Sequence, residues 1–381
     1  MVQHLETFLA ALLVASGVSA GPAPAPTPAP RLEDAVIKRG NTSVSCTFSG
    51  SDGYLSANAS KTACATIVLS ALTVPAGITL DMEGLNDGTN IVFVGNTTFE
   101  YAEWSGSLFS VSGNNITVRG APGSSLDGQG ALYWDGMGNS GGVTKPKFFK
   151  ANNLNNSMLD SVVIRNAPRN SFSLNYVNNL LVKDVVVDDS TGDALGKNTD
   201  GFNINNANNV LITGAKVWNQ DDCVAINSGQ NIVFTKGFCS GGHGLSIGSI
   251  GGQDNDNAVQ NVTFSDTVME KSQQSVRIKS ISGANGTVAD ITYRNIFMSG
   301  GTDYGIIVDQ SYNGVDGEPT NGVSITGFVL QNVTGTVNDN ATNKYIECGE
   351  GSCSDWTWTD VQVTGGLNSA SCMNVPEGIS C

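Results

Sequence analysis

Four short polar clusters, Asn198-Thr199-Asp200, Asp221-Asp222, Gly242-His243-Gly244 and Arg277-Ile278-Lys279, follow one another along a single stretch of the chain. Asp200 to Asp222 is 22 residues (222 − 200) and Asp222 to His243 is 21 (243 − 222). A chain that coils once every twenty to thirty residues or so brings such positions side by side. Three carboxylates, an imidazole and two cations would then share one surface. Carboxylates at the roughly 4.8 Å spacing of neighbouring strands resist joint ionisation, so one keeps its proton to higher pH. A protonated acid beside ionised carboxylates is the equipment for hydrolysing a glycosidic bond. Adjacent residues of a regular strand point to opposite faces, so Asp221 and Asp222 both reach such a surface only where the pleat ends or bulges. Taken singly, Asp-Asp and Asn-Thr-Asp are also common turn sequences.

The remaining clusters fit the same surface. Arg277 and Lys279 are two apart on an expected strand, so both face outward while Ile278 faces the core. An Arg and a Lys together suit carboxylate recognition, one as a planar fork and the other as a point charge. The alternative is a solvated strand face. His243 sits between two glycines, where backbone can approach closely or take positive φ. One coil from Asp222, it is expected to hydrogen-bond the carboxylates and set their proton distribution, or else to be structural.

The coiling itself has separate support. A polar residue followed by alternating β-branched positions recurs at Asn179, Asn209, Asn231, Asn261 and Asp290, at intervals of 30, 22, 30 and 29 residues. Self-similarity at this length marks a solenoid, in which each repeat buries its apolar face only by stacking on its neighbours. Short Val/Ile/Thr strands separated by Gly/Asn/Ser/Asp turns make it all-β, a single-domain β-solenoid, rather than helical. A sandwich or propeller would also alternate, but propeller blades repeat at about 40–50 residues, a period not visible here.

Composition points to an exported chain. Phe8 to Val18 is an apolar run ending in Val18-Ser19-Ala20, which reads as a signal peptide over residues 1–20. It is too short to span a bilayer. A Pro/Ala stretch, Gly21 to Pro30, leads to the dibasic Lys38-Arg39, so residues 21–39 read as a propeptide and 40–381 as one domain. Only 14% of residues are charged, and nine Asn-x-Ser/Thr sequons stand at Asn41, Asn58, Asn96, Asn115, Asn155, Asn261, Asn285, Asn332 and Asn340. Of these, Asn261, Asn285, Asn332 and Asn340 are the glycosylation candidates. All eight cysteines lie beyond residue 39, and an even number in an exported chain implies disulfides. Pairing sequence neighbours joins Cys46 to Cys64, Cys223 to Cys239, Cys348 to Cys353, and Cys372 to Cys381; no metal-type cysteine spacing competes. Removing residues 1–39 takes three basic and three acidic residues, leaving 19 − 3 = 16 against 34 − 3 = 31, a net −15. Such a chain is a poor ligand for nucleic acid or anionic membranes, and it is expected to be monomeric.

Together, Asn198-Thr199-Asp200-Gly201-Phe202, Asn219-Gln220-Asp221-Asp222-Cys223, Ser240 through Gly248 and Arg277-Ile278-Lys279 resemble the four signature segments of the polygalacturonases, particularly the fungal endo-acting type. The resemblance covers the chain beyond the prosegment. It implies a right-handed parallel β-helix that hydrolyses α-1,4 bonds between galacturonates of pectate, with inversion and without a cofactor or metal. It also implies Asp221 as general acid, Asp200 and Asp222 as the pair activating water, His243 tuning that network, and Arg277, Lys279 and Tyr312 binding substrate. Asn203 stands where relatives often carry Asp, and Ser275 where Gly is frequent. Alternatives are a hydrolase of a decorated galacturonan such as xylogalacturonan, a calcium-dependent pectate lyase of the same fold, and a non-catalytic β-helix.

Overall fold

The computed structural model describes residues 44–252, 257–369 and 371–381. The expected signal peptide and propeptide lie outside them. The described residues form a parallel β-helix, with strands stacked coil on coil in three columns. One runs from Leu80–Met82 through Phe172–Asn175, Phe202–Asn205, Val224–Ile226 and Leu245–Ile250 to Gln274–Ile281 and Tyr304–Tyr312. A second contains Asn178–Lys183, Ala207–Thr213 and Gly229–Thr235, and a third Val186–Asp188, Lys216–Trp218 and Phe238–Ser240. Toward the C-terminus, long strands such as Ala258–Glu270 and Gly286–Gly301 bend to serve two columns each.

The recurring Asn positions have a backbone reason. Asn179, Asn209, Asn231, Asn261 and Asp290 all take positive φ, between 52° and 57°. Asn and Asp tolerate this left-handed conformation best after Gly. The amides also stack along the axis: Asn209 donates to Asn179 at 3.1 Å, Asn179 to Asn156 at 2.9 Å and Asn261 to Asn231 at 2.7 Å. Register is thus set at the corners as well as by the inward Val and Ile side chains.

Inside the coil a file of aromatic rings follows the axis. Phe149, Phe172, Phe202, Phe234, Phe264, Tyr293 and Phe328 are each within 6.4 Å, centroid to centroid, of the next. All are fully buried. Phe202 comes two residues after Asp200, and Val276 and Ile278 flank Arg277, so core packing fixes the backbone that carries the polar clusters. Disulfides join Cys46 to Cys64, Cys223 to Cys239, Cys348 to Cys353 and Cys372 to Cys381. Asn261, Asn285, Asn332 and Asn340 are exposed, whereas Asn58 is held in place by hydrogen bonds to Thr79 and Asp81. No described helix is long and apolar enough to cross a membrane.

Candidate active site

The strand column through Phe202–Asn205 and Gln274–Ile281 floors an open cleft of about 1710 Å³, lined by Asp200, Asp221, Asp222, His243, Arg277, Lys279 and Tyr312. The expected residues are therefore brought together. Asp221 and Asp222 reach it because residues 220–222 are not strand; Val224–Ile226 begins just beyond them. Asn219 shapes this turn. Its side-chain amide donates to the carbonyls of Thr199, Asp221 and Asp222 at 2.9, 2.9 and 3.0 Å, tying the Asp200 turn to the Asp221-Asp222 turn.

His243 arrives from the next coil. Its backbone N–H donates to the Asp221 carbonyl at 2.7 Å, and its Nδ1 lies 3.2 Å from Asp221 Oδ1. The flanking glycines allow this approach. A Cβ on Gly242 would come within 2.2 Å of the Asp221 carbonyl oxygen, and Gly244 has φ +98° with the Gln274 carbonyl 2.5 Å from where a Cβ would sit.

Each carboxyl has a different environment. Asp222 is almost wholly buried and accepts from Lys279 at 2.8 Å, Arg277 at 3.3 Å and the Ser246 hydroxyl. Asp221 accepts from its own neighbour's N–H (Asp222) at 2.7 Å and from the Asn198 amide at 3.0 Å. Burial raises its proton affinity, but His243, Lys279 and the Asp222 N–H outweigh this and hold it far below the usual carboxylate range. Asp200 has one polar partner, Asn203 at 3.1 Å. Burial first, then the charges of Asp221 and Asp222, push its carboxyl up to about 7. Of the two, Asp200 therefore has the higher proton affinity, although the resemblance implies Asp221 as the acid. The charge of Asp221 is among the causes that raise Asp200, so proton placement on either responds to charge brought near the other.

Arg277 and Lys279 do face the cleft, but not as a free pair. Both are buried, at 9% and 4% exposure, and both neutralise Asp222. Tyr312 covers them, its ring centroid 5.6 Å from the Arg277 guanidinium and 5.3 Å from the Lys279 ammonium, within cation–π range. Asp221, Asp222 and His243 offer atoms within 4.8 Å of one another, a spacing a metal could use. The cations on Asp222 already supply the positive charge such an ion would bring.

Sequence reasoning missed several contributors. Asn198 was read only as part of a motif, yet its Oδ1 accepts from the Asn139 N–H at 2.8 Å, which leaves its Nδ2 directed at Asp221. Asn139 belongs to a loop organised by Asp135 and buried Lys145, 2.9 Å apart. No local pattern links residue 139 to residue 198, so only the fold reveals the contact. Asn203, expected from the sequence to lie apart from the catalytic set, instead donates to Asp200, and Ser246, inside a signature segment, donates to Asp222; both are polar positions on the outward face of their strands.

A parallel β-helix whose open cleft sets three carboxyls beside an Arg and a Lys defines a class: an acid–base enzyme of anionic polysaccharide. Residues 64–381 match the family described as glycosyl hydrolases family 28, and the chain belongs to that family. Among curated relatives, it is 56% identical over 339 residues to a probable endopolygalacturonase C of Aspergillus aculeatus, covering 88% of each chain. It is 52% identical over 381 residues to endopolygalacturonase I of the same organism, covering 99% of this chain and all of the relative. Among solved structures, endopolygalacturonase I from Stereum purpureum, complexed with two galacturonates, superposes with a TM-score of 0.76 at 35% identity, covering 84% of this chain and 95% of that one.

Proposed function

We propose that the chain is a secreted endopolygalacturonase that hydrolyses galacturonosyl bonds of unesterified homogalacturonan without a metal or cofactor. The observation that carries this reading is the placement of three carboxyls with different partners beside two buried cations in an open cleft. An open cleft of this volume accommodates several units of a polymer, and Arg277 with Lys279 supplies charge for a uronate carboxylate. Export would follow from a signal peptide at residues 1–20 and a propeptide at 21–39, and glycans at Asn261, Asn285, Asn332 and Asn340 would solubilise a surface poor in charge.

In the proposed reaction Asp221 protonates the leaving oxygen, Asp200 and Asp222 activate water, and His243 governs the exchange. For this the proton must pass from Asp200 to Asp221 on binding. An arriving uronate carboxylate at Lys279 offsets one of the charges that now hold Asp221 ionised, which raises its proton affinity. Asp221 and Asp222 offer oxygens within 4.8 Å of each other, closer than the roughly 6.5–9.5 Å usual for inverting pairs. Inversion is therefore the part of the reading most open to direct test. Proton NMR of the first product should show the β-anomer; an initial α-anomer would remove it.

The test of the whole reading is the product pattern from polygalacturonate. Mixed oligomers should appear early, with saturated ends, and chelator should leave the rate unchanged. An ultraviolet-absorbing unsaturated end that vanishes with chelator would make the enzyme a lyase. Asn in place of Asp200, Asp221 or Asp222 should each lower turnover by about 10² to 10⁴, the usual contribution of a general acid or base. Because the three act as a unit, the losses should not add in double variants.

A further inference from the structure

The cleft continues past Asp200 toward the N-terminal coils, and its wall there carries Lys147, at the start of strand Lys147–Asp160, and Arg169, in the turn before Phe172–Asn175. The proposed reaction uses neither. Among the described residues neither forms an ion pair, whereas nearby Lys145 pairs with Asp135 and Lys150 with Glu83. Arg169 spends one donor on the Asn139 side chain, and its Nε is covered without a partner. A guanidinium has five N–H donors, so most of its capacity is unspent.

The turn that presents Arg169 is rigidly built. Asp189, fully buried, accepts the Ala167 N–H at 2.6 Å and the Ser171 hydroxyl at 3.2 Å, bracketing the arginine on both sides. The Phe148 N–H donates to the Asn170 carbonyl at 3.0 Å and the Ser171 N–H to the Asp200 carbonyl at 2.8 Å, which locks the turn between the Lys147 strand and the Asp200 turn. Lys147, Arg169 and Asp200 thus lie on successive coils. Burial, then the charge of Arg169, lowers the proton affinity of Lys147, and burial lowers that of Arg169, with Asp200 acting the other way on both. Among the described residues Asp200 is not hydrogen-bonded to either, so two half-buried cations still face each other across the cleft wall, and an anion between them would relieve the repulsion.

Counted by backbone coils, Arg169 lies one coil and Lys147 two coils on the N-terminal side of Asp200, while Arg277 and Lys279 lie three coils on the other side and reach back toward Asp222. The two cation groups therefore enter the cleft from opposite sides of the aspartates. We propose that Lys147 and Arg169 form a second carboxylate-binding subsite, which holds a uronate unit on the opposite side of the catalytic aspartates from Arg277 and Lys279. The proposal rests on the reading of the chain as a polygalacturonate hydrolase, and it makes that subsite a determinant of which bond is cut.

The experiment compares Lys147→Gln, Arg169→Gln and Arg169→Lys with the parent on unesterified galacturonate oligomers of increasing length, end-labelled to locate the cleaved bond. Loss of a charge-assisted contact should lower kcat/KM about ten- to hundred-fold on oligomers long enough to reach the subsite. The shortest cleaved oligomer should be nearly unaffected, the preferred bond should shift on long ones, and Arg169→Lys should retain more activity than Arg169→Gln. Equal loss at every length with an unchanged cleavage position would assign the pair a structural role and overturn the proposal, as would no loss at all. Thermal unfolding of each variant runs alongside; where Arg169→Gln is destabilised, Lys147→Gln decides. If the parent cleaves no galacturonate oligomer, the functional reading itself fails, and that outcome is distinct from a length-independent loss.

Discussion

At the scale of single residues, the site separates three identical side chains by environment alone. Asp222 is neutralised by Lys279 and Arg277, Asp221 is held ionised by His243 and Lys279, and Asp200 is left with one amide and two repelling neighbours. The consequence for stability has a definite sign. Asp200 has its carboxyl raised from 3.8 to about 7, so between those pH values the unfolded chain releases a proton that the folded one retains. Folding therefore loses stability as pH rises through that window, by an amount on the order of a few kcal/mol at 1.36 per unit. Asp200→Asn removes the penalty. The variant should melt close to the parent near pH 4 and progressively above it toward pH 7, while losing turnover at every pH. Asp221, whose proton affinity is depressed, should behave oppositely: its contribution is present above pH 3.8 and lost only in stronger acid, so Asp221→Asn should melt below the parent at neutral pH. Calorimetric melting of both variants across pH 4–7 checks the pair, and parallel curves would show that proton placement does not differ between the two positions.

At the scale of elements, what the sequence displayed was periodicity, and what it concealed was everything that acts from a loop. The recurring Asn179, Asn209, Asn231, Asn261 and Asp290 revealed the coil because a left-handed corner admits few residue types, so the constraint leaves a mark on composition. The aspartates, His243 and the Arg277/Lys279 pair were legible because they ride on that period. Asn139, Lys147 and Arg169 were not, since they line the cleft from a loop, a strand start and a turn that stand outside that spacing. The raised proton affinity of Asp200 was equally hidden, because it depends on burial and on the charges of Asp221 and Asp222, which outweigh the opposing Lys279. Asn219 lies between these cases: quoted as part of a motif, it proves to be the brace of the turn. Its Nδ2 lies within hydrogen-bond distance of three carbonyls, sharing its two N–H groups among them. Asn219→Ala leaves the Asp221 and Asp222 carbonyls with the His243 and Gly201 N–H groups, so the cost, about 1–3 kcal/mol, should come mainly from the Thr199 carbonyl and the lost tie between the two turns. Asn219→Asp replaces the donor with a carboxylate facing the same carbonyls and should be worse than Ala despite its closer shape. Denaturant unfolding, together with kcat/KM on polygalacturonate, tests this. If Asn219→Asp matched the parent in both, the bracing role would be wrong.

At the scale of the whole molecule, a β-helix is a one-dimensional stack, and its stability is close to a sum of coils and the interfaces between them. The continuous file of rings from Phe149 to Phe328 supplies the same interior to each coil, so the weak points are the two ends, where a strand edge lacks a neighbour. The N-terminal end is closed by helix Gly53–Ser60, which packs on the first strands of the coil through Ala57, and by the disulfide Cys46–Cys64 across the turn that carries it. Among the described residues, strand Ser45–Gly50 pairs only with Thr66–Val74, so without that tether it is held there by one ladder. Closing a loop of this size, with a sequence separation of 18, contributes about 3 kcal/mol in the chain-entropy view. In a one-dimensional stack that loss stays local. Cys46→Ser with Cys64→Ser should therefore fray the first coil, seen as faster hydrogen exchange over residues 45–74, and should promote association through the bared edge at high protein concentration. It should leave kcat unchanged, because several coils separate this end from Asp200. Hydrogen-exchange mass spectrometry, size-exclusion chromatography and turnover measured on one preparation distinguish the possibilities. Uniform loss of protection along the chain, accompanied by loss of activity, would mean that the coils unfold as one cooperative unit and that the end coil supports the catalytic cleft after all.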